Sequence, residues 1–514
     1  MTRFNLKKTF AGIAAIASLA LSLPVYGNDS DRLVILHTND THSIIDPYYR
    51  NNLGGVLRRK VLIDSVRSVE PNVLLVDAGD VLQGSLYFTL FEGDVEQKVM
   101  NALGYDVQIL GNHEFDNGMM KLEKYLKGLD ADLIATNYDL SDTNIGRYFK
   151  PYTIKNVDGK RIGFMAINIR PEGLIDSAKC VGVVYNDAIK AANAMAWYLR
   201  HIEKCDYVIA VTHIGYDESR ELSDIILARN TEGIDVIIGG HSHTLINPDA
   251  SDALPSRFTN LAGDTVLVAQ TGRYGANLGE IVIDLNTGKT DSKIITVTDR
   301  LDSRRNTDLE RLIAPYKHPV DSIYAIKVGS AAAPFECRPQ LMNWMADFVY
   351  DDSRRLTPKK IDMAIVNVGG IRSPFPAGDI TKGMIMQAFP FDNYEVVLEI
   401  SGADLAATLD SLAAHGGNGV SRNVRADMDV AGRRCITATV NGKPIDPSRT
   451  YYVATINYLA QGNDGMGPLK HGKIIAQSDN YLYDDMINAF ETGFLKKKKQ
   501  RPDPTLRMRR IDNQ

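Results

Sequence analysis

Cysteine is scarce, with only Cys180, Cys205, Cys337 and Cys435 in 514 residues, and their spacing excludes a cysteine-built metal site of the zinc-finger kind. In an exported chain these thiols could pair, and spacing alone selects no pairing. Long apolar runs are missing as well. Beyond residue 23 no stretch approaches the roughly 20 apolar residues that a membrane helix requires, so no membrane span is expected. Internal repeats and low-complexity segments are absent. Positive charge is in deficit, with a formal net charge of −5, and an acidic protein is a poor generic binder of nucleic acid, so none is expected as a partner.

What is present begins with an export signal. Arg3, Lys7 and Lys8 precede an almost wholly apolar run over 10–23, and "VYG" ends it in small-residue style, which predicts a signal peptide over 1–27 and an exported, periplasmic protein. Its removal takes away three positive charges and moves the formal net charge from −5 to −8. No cysteine follows the apolar run, so no lipid attachment is expected. The exception to the acidic balance is the end of the chain, where "KKKK" at 496–499 and Arg501, Arg507, Arg509 and Arg510 predict a solvated basic tail over 496–514.

With 44% hydrophobic and 24% charged residues the chain is ordinary globular material, longer than one core serves, so two domains are expected. Between 30 and 300, short aliphatic runs alternate with polar turns and amphipathic helices, an α/β pattern. Strands are predicted at "RLVILHT", "NVLLVDA", "DVQILG", "YVIAVTH" and "DVIIGG", helices at "GGVLRRKVLIDSVRSV" and "DAIKAANAMAWYLRHIEKC", and a closing hairpin at "TVLVAQTGRYGANLGEIVIDLN". A charged, partly helical connector over 301–325 leads to a second α/β unit over 326–495.

Five of the predicted strands end in acids, histidines or an asparagine. "HTNDTH" offers Asp40 and His42, "DAGD" Asp80, "GNHEFD" Asn112, His113 and Asp116, "VTHIG" His213, and "GGHSH" His241 and His243. Strand ends gather at one edge of an α/β sheet, so residues distant in sequence converge there. A mixed histidine and carboxylate set suits zinc, manganese or iron, and it is too large for one tetrahedral ion; two divalent metals sharing a carboxylate is the natural reading. A lone strand-end Asp or His is usually a cap or a hydrogen-bonded side chain, but five of the ten histidines fall in these motifs. His37 lies inside a strand run and is read as packed, His201, His318, His415 and His471 as ordinary, and Glu114 is given no ligand role.

The ordered set "LHTNDTH", "DAGD", "GNHEFD", "VTHIG" and "GGHSH" resembles the calcineurin-like dimetal phosphoesterases and, within them, the exported bacterial 5'-nucleotidase family. The resemblance implies a four-layer β-sandwich flanked by helices, plus a second α/β substrate-recognition domain. It implies one metal on Asp40, His42, Asp80 and His243, a second on Asp80, Asn112, His213 and His241, and a catalytic pair His113 and Asp116. It extends to "ECRPQLMNWMADF", "NVGGIR", "AFPFDNYEVVLEISGADL", "GNGVSRNVRADMD" and "NYLAQGNDGM", where the implied nucleotide contacts are Arg338, Asn367, Arg372, Asn393 and Asp464, with Phe391 and Tyr458 sandwiching the base. Tyr458 stands where better-known members have Phe, Val368 replaces a glycine, and "GNDGM" replaces the usual "GGDG" with an aromatic. The implied activity is hydrolysis of nucleoside 5'-monophosphates by a metal-bound hydroxide. Relatives with the same metal set act on 2',3'-cyclic nucleotides, 3'-nucleotides or nucleotide sugars, and a non-catalytic nucleotide-binding protein would need a broken site. The family rotates its second domain, which places an expected hinge near 302–325.

Overall fold

The computed structural model describes residues 31–48, 50–417 and 419–511; the predicted signal peptide lies outside them. Two six-stranded sheets form the first half of the chain. One runs, in spatial order, Thr290–Thr296, Asn277–Asp284, Arg32–Thr38, Val73–Asp77, Val107–Gln108, Asp132–Leu133, and the other Arg257–Thr259, Thr265–Ala269, Val236–Ile238, Tyr207–His213, Lys160–Asn168, Tyr152–Val157. In each, four neighbouring strands are parallel; the second sheet has an antiparallel strand at either edge, whereas the first carries both antiparallel pairings on one side, through Asn277–Asp284 and Thr290–Thr296.

The period-two pattern decides which face goes where. Leu33 and Ile35 join Leu74, Val76, Phe164, Ile209 and Val236 in an apolar layer between the sheets. Val34 and Leu36 turn the other way, onto the helix Val56–Arg67 and its neighbours, while Val208 and Ala210 meet the helix Ala188–His201. The result is a helix–sheet–sheet–helix sandwich in four layers. His37 sits inside this strand, 1% exposed and paired in register with Gly279, where a Cβ would lie 2.0 Å from its Nε2. The glycine makes room for the ring.

The predicted hairpin over 265–286 does not form. Thr265–Ala269 and Asn277–Asp284 belong to different sheets, and the true hairpin joins Asn277–Asp284 to Thr290–Thr296. The glycine-bearing loop between the first two crosses over the sandwich edge, because Asn39 takes the Thr271 N–H at 2.8 Å and Asp40 C=O takes the Tyr274 N–H at 2.7 Å.

The connector forms the helix Thr307–Tyr324, whose Leu309, Ile313 and Val320 pack into the first half. The second half folds around its own core, with a five-stranded sheet ordered Gly419–Val420, Met363–Val366, Thr450–Ile456, Glu395–Ser401, Lys473–Gln477 and smaller three- and four-stranded sheets. The basic C-terminal run is no free tail over its described part. Lys499–Gln500 pairs with Lys327–Ala331, and Met508–Arg510 pairs with Val424–Asp429. Its cations find carboxylates: buried Arg507 meets the distant Asp347 and the neighbouring Asp503, each at 2.8 Å, and Arg509 meets the distant Asp427 at 2.8 Å. Among the described residues no helix is long and apolar enough to cross a membrane.

Gly279→Ala should destabilise the first half by about 1–3 kcal/mol, the usual range for overpacking a closed core. Scanning calorimetry would show it as a lowered melting temperature; an unchanged Tm would mean that His37 has room to turn away.

Candidate active site

The carboxyl ends of both sheets meet at one edge, and there the strand-end residues converge. Asp40, His42, Asp80 and Asn112 come from the first sheet, His213, His241 and His243 from the second. Asp40, His42, Asp80 and His213 are each no more than 2% exposed. His243 Nε2 lies 3.3 Å from Asp40 Oδ1 and 3.0 Å from His42 Nε2; His213 Nε2 lies 3.1 Å from Asp80 Oδ2; and His241 Nδ1 lies 2.8 Å from Asn112 Oδ1. Two groups result, Asp40 with His42 and His243, and Asp80 with His213 and His241, each offering one ligand atom per residue within 4.8 Å of the others.

Local backbone is bent to achieve this. Asp40, His42, Asp80, His241 and His243 all adopt positive φ, between 49° and 78°. Such left-handed non-glycine residues cost of order 1–3 kcal/mol each and persist only where the surroundings impose them. Gly111 allows the closest approach: a Cβ there would stand 2.2 Å from Asp80 Oδ1.

The donor chemistry fits divalent cations. His213 Nδ1 donates to the Ala78 carbonyl at 2.7 Å, so Nε2 carries a lone pair, buried and without a hydrogen bond, facing a carboxylate oxygen. His42 is held in the same way, Nδ1 donating to the Gln83 carbonyl at 3.1 Å. Lone pairs facing anions demand a cation or a proton between them. The electrostatics agree: burial opposes an imidazolium at His213, yet Asp80 and Asp40 push its pKa up to about 10. Burial instead drives the pKa of His42 well down and that of His241 to about 3, leaving both neutral and ready to ligate. Burial works against the Asp80 carboxylate, but His213 and His113 hold its pKa well below the ordinary range.

Glu114 is the functional neighbour that motif reading passes over. Its buried carboxylate accepts the backbone N–H groups of Asp80, Val81, Leu82 and Gly111 at 3.0, 2.7, 3.1 and 2.5 Å. It ligates nothing and shapes the loop that carries Asp80. Its adjacency to His113 was the available signal, but only the fold shows which amides it collects.

His113 stays off the metal groups. Its Nδ1 donates to Asp116 Oδ2 at 2.7 Å, and Arg372 Nη2, from the second half, donates to its Nε2 at 2.5 Å. Burial disfavours the imidazolium, but Asp116 and Asp80 outweigh it and leave the pKa raised, with Arg372 pulling the other way.

A cavity of about 560 Å³ opens above this edge, between the halves. The first half lines it with Asp80, Asn112, His113, Asp116, His241 and His243, the second with Asn367, Arg372, Phe391, Asn393, Tyr458 and Asp464. Asp40, His42 and His213 lie beneath. Asn367 Nδ2 donates to Asp464 Oδ2 at 2.8 Å, while Asn367 Oδ1 stays buried and unpartnered. Arg372 stacks over the Phe391 ring at 5.2 Å. Arg338 is the expected contact that does not line the cavity: it is exposed, its backbone extended at φ −124° and ψ 139°, and Asp464 is the charge that reaches it. A third acidic group, Asp352, Glu395 and Asp485, lies apart in the second half, and Arg355 already donates to two of its members. The four cysteines are free thiols.

Known proteins share this arrangement. Residues 33–245 match the calcineurin-like phosphoesterase family and residues 326–471 the 5'-nucleotidase C-terminal domain. The trifunctional nucleotide phosphoesterase YfkN of Bacillus subtilis is 27% identical over 88% of this chain, which spans only 34% of that protein's length. Protein UshA of Yersinia enterocolitica is 26% identical, with 90% of this chain and 92% of that protein covered. Among solved structures, the 5'-nucleotidase precursor of Thermus thermophilus superposes with a TM-score of 0.84 at 27% identity, covering 94% of this chain and 99% of its own.

Asp80→Ala should lose most bound metal, because it removes the carboxylate that faces His213 of one group at 3.1 Å and His42 of the other at 4.0 Å. Glu114→Ala should weaken metal binding by about 10- to 100-fold, the range typical for residues that orient ligands. Equilibrium dialysis followed by elemental analysis reads both; unchanged affinity in Glu114→Ala would mean that the strand ends alone hold the loop.

Proposed function

We propose a substrate for this chain, which belongs to the calcineurin-like phosphoesterases carrying a 5'-nucleotidase C-terminal domain and is a phosphoric monoester hydrolase: nucleoside 5'-monophosphates, cleaved to nucleoside and phosphate. The observation that supports it is the single cavity whose one wall is the dimetal edge and whose other wall is aromatic, amide and guanidinium. A phosphate needs the first wall and a nucleoside the second.

In this reading Asp40, His42, Asp80 and His243 would hold one divalent cation, and Asp80, Asn112, His213 and His241 the other, Asp80 belonging to both sets. Zinc, manganese and iron suit the set. When bound, two such cations lower the pKa of a water and stabilise charge on phosphoryl oxygens. The remaining work falls to side chains. Arg372 supplies a fixed cation beside His113, where an entering phosphate can take its N–H groups. Asp116 fixes the proton of His113 on Nδ1 and stabilises the imidazolium, so that Nε2 can deliver a proton to the departing ribose oxygen. Phe391 and Tyr458 take the base between them, Asn367 and Asn393 meet its polar edge, and Asp464 takes the ribose hydroxyls. Export is part of the same reading, supported by the charge and apolar pattern of residues 1–27, with the periplasm as the expected compartment.

Release of inorganic phosphate from adenosine monophosphate by the metal-loaded protein, abolished by chelation, is the direct test; full activity after chelation would end the dimetal reading. His113→Ala should keep both metals and lose about 10²- to 10⁴-fold in turnover. Loss of one metal equivalent would instead make His113 a ligand. The double variant Phe391→Ala with Tyr458→Ala should lower kcat/KM for adenosine monophosphate by roughly 10- to 1,000-fold, taking about 1–3 kcal/mol per stacked ring with incomplete additivity. A phosphate ester without a base should lose far less; equal losses would place base recognition elsewhere.

A further inference from the structure

The metal-bearing half sends one segment across the cavity to the nucleoside-binding wall. Residues 173–176 lie between the strand Lys160–Asn168 and the helix Ala188–His201. The Gly173 carbonyl accepts the Asp464 N–H at 3.0 Å, and the Leu174 carbonyl accepts the Tyr458 hydroxyl at 2.9 Å. The Gln461 amide nitrogen, in the orientation that satisfies its neighbours, stands 3.1 and 3.3 Å from the two carboxylate oxygens of Asp176. All three partners fall within residues 458–464.

The segment is fixed on its own side. Ile175 is buried in the first half's core, and the N–H groups of Leu174 and Ile175 both donate to the Pro171 carbonyl, at 3.0 and 2.8 Å. Asp176 also accepts the Ala178 N–H at 2.9 Å, and Lys179 Nζ donates to the Asp116 carbonyl. A continuous path therefore runs from Tyr458 through Leu174 and Lys179 to Asp116 and His113. Burial and the nearby Asp464 raise the Tyr458 pKa, so its hydroxyl remains a donor.

We infer that Tyr458 is a positioning residue: its hydroxyl, through the Leu174 carbonyl, fastens the base-facing ring to the metal-bearing half, with Gln461 on Asp176 and the Asp464 N–H on Gly173 completing the fastening. The inference rests on the nucleotide reading above and deepens it. A phenylalanine at 458 would offer the same face to a base and lose the tie that sets the ring's distance from the reacting phosphate. Small misplacements of a bound ester are costly in rate, so the tie acts on specificity for esters that carry a base.

The test uses the metal-loaded full chain and two variants, Tyr458→Phe and Gln461→Ala. Without nucleotide, amide hydrogen exchange in peptides covering 171–179 and 458–466 should quicken about three- to tenfold in both, the effect of losing one net hydrogen bond. The kcat/KM for adenosine monophosphate should fall by a similar about three- to tenfold factor, and by less than that for p-nitrophenyl phosphate. Unchanged exchange in both variants, or equal loss on both substrates, overturns the inference. Should the wild-type protein hydrolyse the base-free ester but no nucleoside monophosphate, the substrate reading fails while exchange still decides whether the fastening exists.

Discussion

Two carboxylates with almost no exposure, Asp40 and Asp80, set the terms for the rest of this protein. An uncompensated buried ion costs several kcal/mol even after relaxation. Five ligand-type residues in left-handed backbone add of order 1–3 kcal/mol each. The backbone N–H groups of His113 and His241, donating to Asp80 and Asp40, offset part of these costs, and the surrounding sandwich supplies the rest. The apolar layer between the sheets clamps one sheet on the other, and the strands' carboxyl ends then bring Asp40 and Asp80 from one sheet against His213 and His243 from the other. Glu114 extends the same principle, since one buried carboxylate gathers four amides and so spares the Asp80 loop unsatisfied donors.

The site was legible in the sequence because its ligands follow strands, and an aliphatic run broken by Asp, Asn or His is visible without coordinates. The pattern fails where a side chain serves the backbone of another loop. Glu114 carries its role only once the "DAGD" turn lies beside "GNHEFD", and no spacing announces that. The misplaced hairpin has a similar cause. Residues 265–269 and 277–284 have the alternation of paired strands, and the glycines between them look like a turn, but Asn39 and Asp40 hold that loop over the sandwich edge and send its second strand to the other sheet. Charge reading misled at the C-terminus, where composition shows a basic run and cannot show Asp347 waiting about 160 positions earlier for Arg507. Arg338 matches a motif, but its extended backbone leaves the side chain off the cavity wall.

The second half does more than supply the cavity's other wall. Arg372 donates to His113 Nε2, which keeps that nitrogen an acceptor and its proton on the Asp116 side. An anion that takes over the guanidinium frees Nε2, and the raised pKa set by Asp116 and Asp80 then favours a proton there. The first half thus carries both of the groups able to hold a metal, while the protonation of His113, which belongs to neither, is governed by a residue about 260 positions away. Chemistry and recognition are divided between the halves in sequence but joined at this one nitrogen. An anion reaching Arg372 therefore does two things at once: it satisfies the guanidinium and readies the acid. That coupling requires the two walls to stay close, and the hydrogen bonds of Arg372 to His113, Tyr458 to Leu174 and Asp464 to Gly173 span them.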